Sequence, residues 1–191
     1  MTKRSHAFVL VPVKAFTRAK VRLAPDVSPE ERQALARRMA TSVVHAANPL
    51  PVAVVCDDAE VAEWVEEVGA RLIWTPDTGL NGAVSEGVRQ LAEDGVKHVV
   101  VAHSDLPLAQ TFEPIASWPG VTIVPDRHRT GSNVVAVPTS AGFQFSYGAN
   151  SYRRHVQEAM RVGRGLRIVH DPSLAWDVDY PGDLVLPESK E

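Results

Sequence analysis

Several things are scarce in this 191-residue chain, and each scarcity excludes something. It has one cysteine, Cys56. No internal disulfide can form, and within the apolar run Val52–Cys56 a buried core thiol is a better reading than a nucleophile. No apolar run approaches the ~20 residues that a membrane-spanning helix needs. No signal-peptide pattern opens the sequence, so the cytoplasm is the expected compartment and no membrane partner is expected. Positive charge is not in excess: the formal net charge is −3, which argues against a nucleic-acid polymer as partner. Glycine motifs are missing too, with no P-loop or G-x-G-x-x-G for phosphate and no G-x-S-x-G for a nucleophilic serine. None of the histidines has metal-ligand spacing, and none is assigned to catalysis.

What remains is ordinary for a globular enzyme. Apolar residues make up 45% and charged residues 23%. The length suits one α/β domain with a large core, taken here as residues 1–191, and is short for two. Residues 6–13 read as a first strand. Ser28-Pro29-Glu30-Glu31 is a capping box that opens a helix to about Ala47. Val52–Cys56 and Ala70–Trp74 read as strands around a short helix capped by Asp57 or Asp58. A helix is expected from about Asn81 to Glu93, closed by Gly95. Lys97–Ala102 follows as a strand apolar enough for the middle of a parallel sheet. Leu108–Trp118 reads as helix, Val121–Pro125 and Asn133–Pro138 as strands, and Ser151 to about Arg161 as helix. Leu166–His170 closes the strands, and Pro181–Leu186 reads as a short terminal helix. This alternation predicts one doubly wound, mostly parallel sheet with helices on both faces. In such sheets ligands sit over the C-terminal ends of the strands. The loops at Lys14 and Asp105 should therefore face one crevice.

The first of those loops is the most distinctive stretch. Lys14, Arg18, Lys20 and Arg22 fall within residues 14–22 without one acid, straight after an apolar strand. Lysine is a compact charge suited to phosphate and arginine can bind it bidentately, so the loop, directly after a buried strand, reads as a triphosphate site in preference to a solvated surface loop. Asp105, at the end of a central strand, is placed to hold Mg²⁺ against phosphate oxygens, although a turn aspartate would look the same. Asp177 and Asp179 alternate, so in an extended segment both point to one side and could complete a metal site. Asp179 could equally cap the helix starting near Pro181. Asn81 stands at a helix start, where it could read a base edge or simply serve as a cap. Thr130, Ser132, Gly148 and Ser151 bring glycine and hydroxyls to the starts of elements. Free N–H groups at such starts favour anions, which suggests a second phosphorylated substrate.

In order along the chain stand Val11-Pro12-Val13-Lys14, Ala19-Lys20-Val21-Arg22-Leu23 and Gly79-Leu80-Asn81. They are followed by Ser104-Asp105-Leu106-Pro107-Leu108, Thr130-Gly131-Ser132-Asn133, Tyr147-Gly148-Ala149-Asn150-Ser151 and Asp177-Val178-Asp179-x-Pro181-x-Asp183-Leu184. This ordered set resembles the guanylyltransferases of coenzyme F420 biosynthesis, the CofC/FbiD family, within the nucleotidyltransferases of MobA-like fold. The resemblance spans about residues 8–184. It implies transfer of GMP from GTP to a small phosphorylated carboxylic acid, phosphoenolpyruvate or 2-phospho-L-lactate, with release of pyrophosphate. On this resemblance Lys14, Arg18, Lys20 and Arg22 hold the triphosphate, with Lys14, Lys20 and Asp105 closest to the chemistry. Asp105 with Asp177 or Asp179 holds Mg²⁺, Asn81 lies near the guanine, and Thr130 or Ser132, Gly148 and Ser151 receive the phosphoacid. A homodimer is compatible with it, and the product would pass to the next enzyme of the pathway. Two other readings are a cytidylyl- or sugar-phosphate nucleotidyltransferase of the same fold and a non-catalytic nucleotide-binding module. The missing glycine-rich N-terminal loop speaks against the first, and the retained acids speak against the second.

Overall fold

Strand β1 (Ala7–Pro12) lies between β2 (Val52–Cys56) and β4 (His98–Ala102), and that position organises the molecule. The computed structural model describes residues 7–187, so His6 and the extreme ends of the single expected domain lie outside the described residues. From β1 the chain winds outward through helix α1 (Pro29–Ala46), β2, helix α2 (Ala59–Glu67) and β3 (Arg71–Trp74). It then returns through helix α3 (Gly79–Glu93) to place β4 on the other side of β1. The parallel pairs β1–β2 and β1–β4 thus diverge, and their C-terminal ends open a crevice.

The rest of the sheet is β5 (Val121–Pro125), β6 (Ser132–Pro138) and β7 (Leu166–Ile168), in the overall order β3-β2-β1-β4-β6-β5-β7. β6 is antiparallel to both its neighbours. The cause is local: Asp126 accepts from the Thr130 N–H (2.9 Å), the Gly131 N–H (2.7 Å) and the Thr130 hydroxyl (2.9 Å). Those bonds fold residues 126–131 into a hairpin, which can join only antiparallel strands. Between β6 and β7 stands helix α5 (Ser151–Val162).

Alternate strand residues divide between two cores, as a sheet covered on both faces requires. Val9, Val11, Val54 and Val100 pack with Val43 of α1 and Trp64 of α2. Leu10, Val55, Val99 and Val101 pack with Val84 and Leu91 of α3 and Ala159 of α5. The Ser28 capping box forms as expected, with Ser28 Oγ accepting from the Glu31 N–H (3.2 Å) and the Glu31 carboxylate accepting from the Ser28 N–H (3.0 Å).

Four elements differ from the sequence reading by two residues or more. The expected helix Leu108–Trp118 shrinks to α4 (Glu113–Ala116), because Pro114 has no N–H to give and is tolerated only in a first turn. Helix α3 begins at Gly79 instead of Asn81, which places Asn81 inside its first turn. Strand β7 ends at Ile168, where its pairing with β5 stops, and not at His170. The terminal helix is one 3₁₀ turn, Pro181–Leu184.

Candidate active site

A pocket of about 880 Å³ opens over the C-terminal ends of β1 and β4. Lys14, Arg18, Lys20 and Arg22 line it, as do Asp105, Asp177 and Asp179. Thr130, Ser132, Gly148 and Ser151 line it too. The crossing of the sheet at β1 and β4 thus assembles every residue expected from sequence except Asn81.

The cationic loop is held open by two short 3₁₀ turns, Phe16–Arg18 and Val21–Leu23, joined at Lys20 in a left-handed conformation with φ 54°. Phe16 and Leu23 are buried anchors, so the charged residues between them are turned to the pocket and the solvent. Lys20 is the one drawn inward. Its Nζ donates to Asp105 Oδ2 (2.5 Å) and to the Val178 carbonyl (2.5 Å), and lies 3.6 Å from Asp179 Oδ1. Arg22 binds the other oxygen of Asp179 at 2.9 Å. Lys14 and Arg18 are exposed and form no ion pair among the described residues.

The acids differ in environment. Burial pushes the Asp105 carboxyl up, but the charges of Lys20 and His103 and the Lys20 hydrogen bond outweigh it, and the net shift is downward. Burial raises Asp177, and the negative charge of Asp105 raises it further. Val178, between Asp177 and Asp179, is buried against Leu23 and Met39, so both acids do turn to the pocket side. The segment is braced from behind. Asn133, buried in β6, donates to the Leu174 carbonyl (3.1 Å) and to Asp177 Oδ1 (3.3 Å). Arg127 donates to the Asp177 carbonyl (3.2 Å), pairs with Asp183 and stacks over Trp176. Asp183 also accepts from the Asp179 N–H (2.8 Å) and the Tyr180 N–H (2.7 Å).

Among the described residues no three acids, histidines or cysteines converge as a finished metal cage. Asp179 is engaged by Lys20 and Arg22. Asp105 Oδ1, by contrast, is buried and has no hydrogen-bond partner. An orphaned carboxylate oxygen beside a second acid whose proton affinity it raises is a donor set that suits a hard divalent cation.

Asn81 departs from its expected place. It does not line the pocket, and both its polar groups bind one residue of the loop ahead of α5. Its Oδ1 accepts from the Tyr147 N–H (2.6 Å), and its Nδ2 donates to the Tyr147 carbonyl (3.4 Å). The side chain therefore ties α3 to the loop carrying Gly148, and Thr78, Gly79 and Leu80 line the pocket instead.

Sequence reasoning gave no role to Asn133, Tyr147 and Asp183, although they stand within its motifs, and passed over Arg127 and His103. Asn133 carried a signal, a polar residue inside an otherwise apolar strand. The Asp183–Arg127 pair carried none, because the partners stand 56 residues apart.

Comparison with known proteins places the chain in a family. The family profile described as guanylyl transferase CofC like matches residues 7–186. The chain belongs to the CofC-like guanylyl transferase family. A phosphoenolpyruvate guanylyltransferase of Rubrobacter xylanophilus is 34% identical over 191 aligned positions, covering 95% of this chain and 93% of its own. Among solved structures, a Desulfovibrio desulfuricans protein assigned as a nucleotide-diphospho-sugar transferase aligns with a TM-score of 0.76 at 18% identity, covering 94% of this chain and 85% of the other. A nucleotidyl transferase of Methanothermobacter aligns with a TM-score of 0.64 at 15% identity, covering 94% of each chain. Likeness at such identities establishes the fold: an α/β nucleotidyltransferase sheet of MobA-like type. The CofC-like chain is accordingly a nucleotidyltransferase of the guanylyl class, and among its described residues no helix is long and apolar enough to cross a membrane.

Proposed function

We propose that this CofC-like chain transfers GMP from GTP to phosphoenolpyruvate or 2-phospho-L-lactate and releases pyrophosphate, as a step of coenzyme F420 biosynthesis. What supports the reading most directly is a single arrangement. A cationic loop and a group of carboxylates meet through Lys20, and hydroxyls and Gly148 line the same pocket. A nucleotide and a second, smaller anion would each find a matching surface. The curated relatives are named phosphoenolpyruvate guanylyltransferase, which favours that acid as acceptor.

In the reaction an oxygen of the acceptor phosphate attacks the α-phosphorus of GTP. The new P–O bond forms as the bond to the bridging oxygen of the β-phosphate breaks, and pyrophosphate leaves with that electron pair. The acceptor is already anionic, so no general base is needed, and positioning with charge neutralisation carries the catalysis. Lys14 and Arg18, with no anionic partner among the described residues, would take the β- and γ-phosphates. Lys20 would neutralise charge at the scissile end. Asp105 and Asp177 would hold Mg²⁺, which when bound neutralises phosphate oxygens. Arg22 would steady Asp179 beside them. Thr130, Ser132, Gly148 and Ser151 would receive the phosphoacid.

Pyrophosphate release, followed with each nucleoside triphosphate and each phosphoacid, tests the reading. Release is expected with GTP and phosphoenolpyruvate or phospholactate, is stopped by chelating Mg²⁺, and is lost in Asp105→Asn although that variant folds. Equal activity with CTP, or none with either acceptor, would sink it. Ser151→Ala should raise the acceptor KM more than the GTP KM.

A further inference from the structure

The acceptor end of the pocket is organised by a side chain that does not line it. His155, fully buried in α5, stands one turn beyond Ser151 and therefore on the same face of the helix. Its Nε2 lies 2.9 Å from the Ser146 backbone nitrogen. A backbone amide can only donate, so Nε2 must be the bare nitrogen of the ring. A neutral imidazole then carries its hydrogen on Nδ1. That nitrogen is 3.0 Å from Ser132 Oγ, which must accept from it. The hydrogen of the Ser132 hydroxyl consequently cannot be given to His155.

The neighbouring hydroxyl is arranged in the same sense. Ser151 Oγ accepts from the Ser132 N–H at 3.1 Å, so its own hydrogen is also unspent. Among the described residues neither hydroxyl donates to a protein acceptor. Both serines are almost fully buried, yet both line the pocket. Each therefore has one direction left for its hydrogen, which is into the cavity.

We propose that His155 is a positioning residue for the acceptor. It holds the Ser132 hydroxyl as a donor, so that Ser132 and Ser151 present two hydrogens to an anionic oxygen of the phosphoacid. This rests on the reading of that end of the pocket as the acceptor site. Aromatic neighbours lock the ring in place. Tyr147 packs edge-on against it at 4.8 Å between centroids, and Phe143 packs against it at 5.8 Å. Burial, aided by the charges of His103 and Arg154, keeps its proton affinity low, at a pKa of about 4, so the neutral form persists at neutral pH. A charged ring would place a hydrogen on Nε2 against the Ser146 N–H.

Two measurements on the full chain test the proposal. Imidazole ¹⁵N–¹H correlation spectra at pH 7, assigned through bonded carbons, should show His155 protonated at Nδ1 and bare at Nε2. Protonation at Nε2 would overturn it without any variant having to fold. Kinetics then separate positioning from packing. His155→Asn keeps a donor where Nδ1 stood, and its acceptor KM should stay within about threefold of wild type. His155→Gln keeps only an acceptor where Nε2 stood. Its acceptor KM should rise about tenfold with the GTP KM unchanged, the scale of one lost hydrogen bond to a charged group. Equal effects of the two variants, or a parallel rise in the GTP KM, would show that His155 only fills space. Should the wild-type protein release pyrophosphate with no phosphoacid, the reading of the reaction fails instead, and the spectrum alone decides whether Ser132 is held as a donor.

Discussion

Lys20 Nζ stands 2.5 Å from Asp105 Oδ2, across 85 residues of sequence, and the contact joins the loop after β1 to the loop after β4. Both side chains are largely withdrawn from solvent. Removing one member of such a pair leaves the other buried without its countercharge, at a cost of about 3 kcal/mol. Lys20→Met should therefore destabilise the fold by about that much. Adding Asp105→Asn to it should restore part of the stability while activity stays lost. Urea unfolding of the singles and the double reads the coupling, and strictly additive losses would contradict it.

Asn81 grips the backbone of Tyr147 through both its side-chain groups. Asn81→Ala should loosen the loop that carries Gly148 and raise the acceptor KM by about tenfold, the scale of two neutral hydrogen bonds. The GTP KM should stay near its wild-type value. A larger change in the GTP KM would return Asn81 to the guanine side.

Gly87 lets helix α3 lie directly on the sheet. A Cβ there would stand 2.7 Å from Val55 Cγ1 and 2.9 Å from Leu10 Cδ2, two side chains sealed in the core. Gly87→Ala should cost about 1–3 kcal/mol through overpacking, despite the better helix propensity of alanine. Chemical denaturation gives the figure, and a stabilised variant would show that α3 can slide.

The pH dependence follows from His155. Its pKa falls to about 4 in the folded chain, first through burial and then through the charges of His103 and Arg154. An unfolded histidine titrates near about 6.5. Between those values the unfolded chain holds a proton that the folded chain refuses, so stability is full above about pH 6.5 and declines as pH falls toward 4. Each pH unit of that shift is worth about 1.36 kcal/mol, which makes the whole loss about 3 kcal/mol. His98, buried with its proton affinity also lowered, acts in the same direction. Unfolding free energies at pH 7 and 4.5 should show a smaller drop for His155→Asn than for the wild-type protein.

Most of the fold was legible because its signals are local. The Ser28 capping box, the apolar run before Ala102 and the alternation of strand with helix each depend on neighbours a few residues apart. The helix expected over Leu108–Trp118 is opposed within the sequence by Pro114, which confines it to one turn. Asn81 stands at a helix start, open to a cap or a base-reading role, and nothing nearby in sequence announces its partner at Tyr147.

The kinds of chemistry present are written in the chain order: a cationic loop free of glycine, acids at a strand end and near the C-terminus, hydroxyls at turns. The family is legible in the ordered motifs as well. Which charge meets which is settled by folding. Lys20 and Arg22 engage Asp179, Asp105 keeps one oxygen without a partner, and His155 orients Ser132 from behind the pocket wall. Spacing along the chain records what a residue can do. A hydrogen bond is decided within about 3 Å, and here those last ångströms are set by the packing of distant elements onto one sheet.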